Sequence, residues 1–169
     1  MATRKTLILN AAQIQQKIDR IAYQIYEHNF DEKELIIAGI ASRGFIIAKR
    51  IAQKLKQISD IKITLTEVVV NKDNPLDSTV KHGLTEKDFK GKGIILVDDV
   101  LKSGKTLIYG LEPFLKVPVK RITTVVLVDR NHNRYPIKAD FVGLSLATTL
   151  QEHISVEVDK KGDEAVYLL

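Results

Sequence analysis

The chain has 169 residues, a formal net charge of +5 at pH 7, 44% hydrophobic and 28% charged residues. That is the balance of an ordinary globular chain, and the length suits a single domain over residues 1–169. The absence of cysteine excludes disulfides and thiolate metal sites, and no apolar run approaches the roughly 20 residues that span a bilayer. The start, Met1-Ala2-Thr3-Arg4-Lys5, is basic but lacks the apolar stretch of a signal peptide. A cytoplasmic protein with no membrane partner is therefore expected. The positive charge fits an anionic ligand, a nucleic acid or simply a lysine-rich surface, and the lysines are scattered rather than striped.

Asn10, followed three positions later by Gln13, reads as a capping box. Ile14, Ile18, Ile21, Ala22 and Ile25 then recur at helical spacing, giving an amphipathic helix to about His28. Residues 35–40 form a short aliphatic run that reads as a buried strand, ending at Ala41-Ser42-Arg43-Gly44. Phe45, Ala48, Ile51, Ala52 and Leu55 follow at helical spacing, so strand, loop and helix succeed one another. Residues 61–70 read as another strand. The polar stretch 71–92, with Pro75, Gly83 and Gly91, has the length of a functional loop. Residues 94–98 predict a strand buried on both faces, and 104–115 a helix that Pro118 follows. Residues 121–128 predict a strand of mostly β-branched residues, and 141–142, 154–158 and 165–168 are shorter strand-like runs. The alternation predicts an α/β fold, a Rossmann-like parallel sheet with flanking helices.

The chemistry concentrates between Ile94 and Thr106. Asp98 and Asp99 fall at the C-terminal end of the predicted central strand, where open α/β sheets place their ligands. The turn Ser103-Gly104-Lys105-Thr106 adds two hydroxyls, a cation and a glycine that lets backbone approach a phosphate. Acids beside phosphate donors suit a phosphorylated sugar. A nucleotide-binding P-loop needs a glycine five positions before Gly104, and Asp99 stands there. The blander readings are an acidic helix start for the aspartates and a plain helix cap at Ser103, and a cap is compatible with phosphate binding. His28, His82, His132 and His153 show no metal-ligand spacing.

Asp98-Asp99 with Ser103-Gly104-Lys105-Thr106 resembles the signature of type I phosphoribosyltransferases, enzymes that use phosphoribosyl pyrophosphate (PRPP). Upstream, Ala38-Gly39-Ile40-Ala41-Ser42-Arg43-Gly44 resembles the family's pyrophosphate loop. Downstream, Val126-Leu127-Val128-Asp129-Arg130-Asn131-His132 and Pro136-Ile137-Lys138-Ala139-Asp140-Phe141-Val142-Gly143 are similar to one subfamily, the bacterial pyrimidine operon attenuator proteins that double as uracil phosphoribosyltransferases. The resemblance implies a small hood built from the terminal parts, and transfer of 5-phosphoribose to a nucleobase, uracil first, with release of pyrophosphate. It assigns Asp98, Asp99 and Arg43 to catalysis and Ser42, Arg43 and Gly44 to the pyrophosphate. Val100, Leu101, Lys102, Ser103, Gly104, Lys105 and Thr106 join the two aspartates in binding PRPP. Asp129, Arg130 and Ile154 go to the base. Mg²⁺ is expected to be held mainly through PRPP, with no dedicated protein site. A homodimer or higher homo-oligomer is expected. The alternative is an RNA-binding regulator of pyrimidine genes with weak or no turnover, and a third reading is a purine-specific member.

Three departures from the subfamily pattern stand out. Its Tyr-Arg-Asp-Asp stretch is here Thr66-Glu67-Val68-Val69, which removes a cation over the pyrophosphate and leaves Lys72 and Lys81 as candidates to replace it. Its Asp-Arg-Gly-His-Arg is here Asp129-Arg130-Asn131-His132-Asn133, with the second arginine displaced to Arg134. Its Thr-Gly-Arg-Thr is here Ser103-Gly104-Lys105-Thr106.

Overall fold

The computed structural model describes residues 4–169, so the first three residues of the basic start lie outside the described residues. Strand β1 (Thr6–Leu9) leads into helix α1 (Ala11–Asn29). The capping box is formed: Gln13 N donates to Asn10 Oδ1 at 2.9 Å, and Asn10 N donates to Gln13 Oε1 at 2.9 Å. Two of the helix's orphan donors are thereby satisfied. The predicted stripe of Ile14, Ile18, Ile21, Ala22 and Ile25 is fully buried.

After α1 the chain alternates. Strand β2 (Glu34–Ile40) runs into α2 (Arg43–Ile58), followed by β3 (Lys62–Val69) and the short β4 (Lys81–His82). A single helical turn, α3 (Glu86–Phe89), precedes β5 (Gly93–Leu101) and α4 (Lys105–Gly110). Strands β6 (Arg121–Asp129), β7 (Phe141–Ser145), β8 (Ile154–Glu157) and β9 (Ala165–Leu168) complete the fold. The main sheet has six strands in the order β4-β3-β2-β5-β6-β7. All of its pairs are parallel except β3 with β4. The hood is a three-stranded antiparallel sheet, β1-β9-β8, made from both ends of the chain.

Strand alternation divides the core. Leu35, Ile37, Ile95, Val97, Val125 and Leu127 face α1, α2 and the hood. Ile36, Ala38, Ile40, Ile94, Leu96 and Val126 face α4 and the loops around it. The central strands are buried on both faces, which is why they read as unbroken aliphatic runs.

Two predicted boundaries move. The helix expected over 104–115 stops at Gly110, and Glu112–Leu115 forms a 3-10 turn. Pro113 has no N–H to continue an α-helical ladder. The central strand extends past Asp98 to Leu101, because β6 goes on pairing with it there. The polar stretch after β3 is also anchored. Phe89 is fully buried and packs edge-on against Phe114, with ring centroids 5.2 Å apart. Phe114→Ala is predicted to cost about 3–5 kcal/mol, measured by urea denaturation.

Candidate active site

The site starts from a mismatch in strand length. Pairing between β2 and β5 ends at Gly39 and Val97, while pairing between β5 and β6 continues to Leu101 and Asp129. Beyond Val97, β5 has a free side, and the first turn of α2 closes on it. A Cβ on Gly44 would stand 2.8 Å from the Val97 carbonyl and 2.9 Å from Asp98 Cα. Only glycine allows that approach. The Ala41-Ser42 peptide just before it is cis.

Asp98 is buried, and its Oδ1 accepts from the Asp99 backbone N–H at 2.8 Å. Burial raises its pKa well above the ordinary carboxylate value, the Asp99 charge raises it further, and the Lys72 ammonium pulls it back. Asp99 is half-buried, and its Oδ1 accepts from Val100 N at 2.8 Å. Although β5 runs through both acids, their carboxyl groups stay within interacting distance, and the Asp99 side chain acts on buried Asp98 through both its charge and a hydrogen bond. The two acids form a close pair at the strand end.

The turn after β5 is fixed from outside. Leu101 O accepts from Arg130 N at 2.9 Å, and Ser103 O accepts from Arg134 N at 2.8 Å and Tyr135 N at 3.0 Å. Gly104 has φ 86°, and a Cβ there would meet Ile137 Cγ2 at 2.5 Å. The sequence places the helix N-cap at Ser103. In the structure Gly104 occupies that position in a left-handed conformation, and Ser103 Oγ accepts from Lys105 N at 3.2 Å.

Asp98 and every residue from Val100 to Thr106 line a cavity of about 190 Å³, with Lys72 on its rim and Val126 in its wall. The structure thus gathers most of the predicted PRPP set. Lys72, the cation that faces this cavity from the segment after β3, is one of two candidates in the sequence. Lys81 lies instead in an outer groove with Glu67 and His82.

The remaining predicted residues lie around this cavity rather than in it. Ser42 and Arg43 are exposed at the start of α2, and Arg43 lines a cleft of about 900 Å³ beneath the hood. Asp129 ends β6, and its Oδ1 accepts from Asn131 N at 2.8 Å. Asn131 has φ 59°, a conformation that asparagine tolerates. That explains how it replaces the subfamily's glycine. Arg130 is buried, and its guanidinium braces the following loop through Thr148 Oγ1 at 2.9 Å and the carbonyls of Thr149 and Glu152. It also borders a cavity of about 210 Å³ with Lys102, His132 and Arg134. Ile154 opens β8 in the hood, half-buried against the core. Among the described residues, no three of His, Asp and Glu come together as a metal site. No helix among them is long and apolar enough to cross a membrane.

Comparison with known proteins gives the family. The phosphoribosyl transferase domain matches residues 6–161. The chain belongs to the phosphoribosyl transferase domain family. The Bifunctional protein PyrR of Pediococcus pentosaceus is 35% identical over 171 residues, covering 96% of this chain and 97% of that protein. The protein of the same name from Streptococcus uberis is 36% identical over 158 residues, covering 92% and 91%. A hypoxanthine-guanine phosphoribosyltransferase from Bacillus anthracis superposes with a TM-score of 0.74 at 19% identity, covering 99% of this chain and 98% of its own. The hypoxanthine phosphoribosyltransferase of Trypanosoma cruzi superposes with a TM-score of 0.76 at 16% identity, covering 97% and 90%. At such identity the structural likeness speaks for the fold. The enzyme class predicted from Asp98-Asp99 and the following turn, a phosphoribosyltransferase, stands on the family match.

An acid whose pKa is raised by folding favours the native state when protonated and opposes it once ionised. Asp98→Asn keeps the acceptor for Asp99 N and removes the charge. It is predicted to raise the Tm at pH 7, with the gain shrinking as pH falls toward the unfolded carboxyl's pKa of about 4. Thermal melts at the two pH values check this.

Proposed function

We propose that this protein transfers 5-phosphoribose from PRPP to uracil and releases pyrophosphate. The observation that carries the reading is the single cavity shared by Asp98 and the turn from Lys102 to Thr106. The 5′-phosphate would enter that turn, where hydroxyls and backbone N–H groups donate. The ribose would lie across the end of β5, against the paired carboxyls of Asp98 and Asp99. Pyrophosphate would point toward Ser42, Arg43 and Gly44 at the start of α2, which Gly44 holds against Asp98. Arginine's planar fork suits phosphate oxygens.

As the bond from C1 to pyrophosphate breaks, positive charge grows on the sugar and negative charge on the leaving group. Fixed carboxylates on one side and Arg43 on the other favour that separation. The base would approach from Asp129, Arg130 and Ile154, between the end of β6 and the hood. Mg²⁺ fits as an ion carried by the substrate. The cavity offers too few protein oxygens for an all-protein cage, and Asp99 is the half-buried carboxylate available to complete a shell of phosphate oxygens and water. The protein is expected to work in the cytoplasm as a homodimer or higher oligomer.

A second reading is favoured by the relatives' printed name, Bifunctional protein. The chain would also bind pyrimidine-operon leader RNA. Its net charge of +5 and the cavity bordered by the cations Lys102, Arg130 and Arg134 support this. Binding that weakens with salt and changes with a uridine nucleotide would bear it out. Indifference to the nucleotide would count against it.

Purified protein with PRPP, Mg²⁺ and uracil is predicted to form uridine monophosphate and pyrophosphate, with less turnover on purine bases. Asp99→Asn is predicted to cut turnover by about 100-fold or more while leaving the Tm near that of the parent. A normal rate in that variant would remove Asp99 from the mechanism.

A further inference from the structure

Three lysines border the cavity at the end of β5, and their surroundings differ: Lys102 is exposed and is shared with the neighbouring cavity of Arg130 and Arg134, which leaves Lys72 and Lys105 to compare. Lys105 is the position at which the sequence predicts a phosphate cation. Its ammonium instead donates to the Asp73 backbone carbonyl at 3.3 Å, tying the first residue of α4 to the segment after β3. The residue before Asp73 is Lys72, which lines the same cavity as Ser103 and Thr106. Among the described residues, none of the three cavity lysines, Lys72, Lys102 and Lys105, joins an ion pair. The Lys72 charge nevertheless reaches Asp98, whose carboxyl it favours in the ionised form.

The cavity therefore has one ammonium already engaged by a backbone carbonyl, Lys105, and two with no carboxylate partner, Lys72 and the exposed Lys102, of which Lys72 is the one whose charge acts on Asp98. A sugar phosphate brings about two negative charges near neutral pH, and the turn itself contributes only neutral donors apart from its lysines.

We propose that Lys72 is the cation that contacts the substrate's 5′-phosphate, and that Lys105 is a positioning residue that pins the Lys72 segment through Asp73. This rests on the transferase reading above and reverses the roles that the sequence motif gives to Lys105. The segment after β3 then acts as one wall of the phosphate site. Lys72 then serves the 5′-phosphate, the opposite end of PRPP from the pyrophosphate over which the subfamily carries the arginine that Glu67 replaces.

The test is calorimetric titration of ribose 5-phosphate and of PRPP with Mg²⁺ into the parent protein, Lys72→Gln, Lys72→Arg and Lys105→Gln, each at low and high salt. Limited proteolysis across residues 71–80 accompanies it. Lys72→Gln is expected to weaken ribose 5-phosphate binding by about tenfold or more. The loss should be larger at low salt than at high salt, and Lys72→Arg should restore most of the affinity. Lys105→Gln is expected to speed cleavage of the segment and to weaken binding while keeping the parent's salt dependence. Unchanged ligand binding by Lys72→Gln, or a loss insensitive to salt, would overturn the assignment of Lys72. A salt-dependent loss confined to Lys105→Gln, with no change in cleavage, would restore the motif's assignment. If the parent protein binds neither ligand, the transferase reading itself falls and takes the lysine assignment with it.

Discussion

Parallel pairing between β2 and β5 stops at Gly39 and Val97, whereas pairing between β5 and β6 runs on to Leu101 and Asp129. The rest of the site depends on that difference in reach. A strand flanked to its end would present only its tip to a ligand. Here Asp98 and Asp99 leave the strand where one side is no longer covered by sheet. Glycine at position 44 lets α2 approach within van der Waals distance of Asp98, so the pyrophosphate segment and the acids are set by one backbone contact. On the other side, β6 and the segment after it hold the turn through Arg130, Arg134 and Tyr135. The loop that carries the phosphate donors therefore hangs from a rigid sheet, as a preorganised site requires.

The same arrangement explains the charge. Asp98 lies in a buried position beside another carboxyl, which opposes its ionisation. A buried acid without a paired cation is a cost to the fold. Its persistence fits a position kept for a ligand rather than for stability, since strain and burial of this kind gather at functional sites. Arg130 shows the opposite use of a buried charged group. Its guanidinium is spent on carbonyls and a hydroxyl of the loop leading to β8, so it shapes the wall near the hood.

Much of this was legible in residues alone, for physical reasons. The aliphatic stripe of α1 and the unbroken runs of β2 and β5 announce themselves because burial dictates residue type. The turn at Gly104 was legible because few residues accept its conformation, and Asn131 marks a second such position. The extension of β5 was not legible, because pairing with β6 rather than the composition of Asp98-Asp99-Val100-Leu101 keeps it extended. The early end of α4 turns on Pro113, whose effect as a helix breaker the apolar spacing of 104–115 masks. The choice between Lys72 and Lys81 needed three dimensions, since β4 folds back along β3 and carries Lys81 to the outer groove.

A crystal structure with PRPP and Mg²⁺ bound tests the central claim most directly. The ribose should lie at the end of β5 against Asp98 and Asp99, with its 5′-phosphate in the turn from Lys102 to Thr106 and its pyrophosphate beside Arg43. PRPP bound elsewhere, such as wholly within the cleft beneath the hood, or a crevice at β5 that stays closed at saturating ligand, would contradict it.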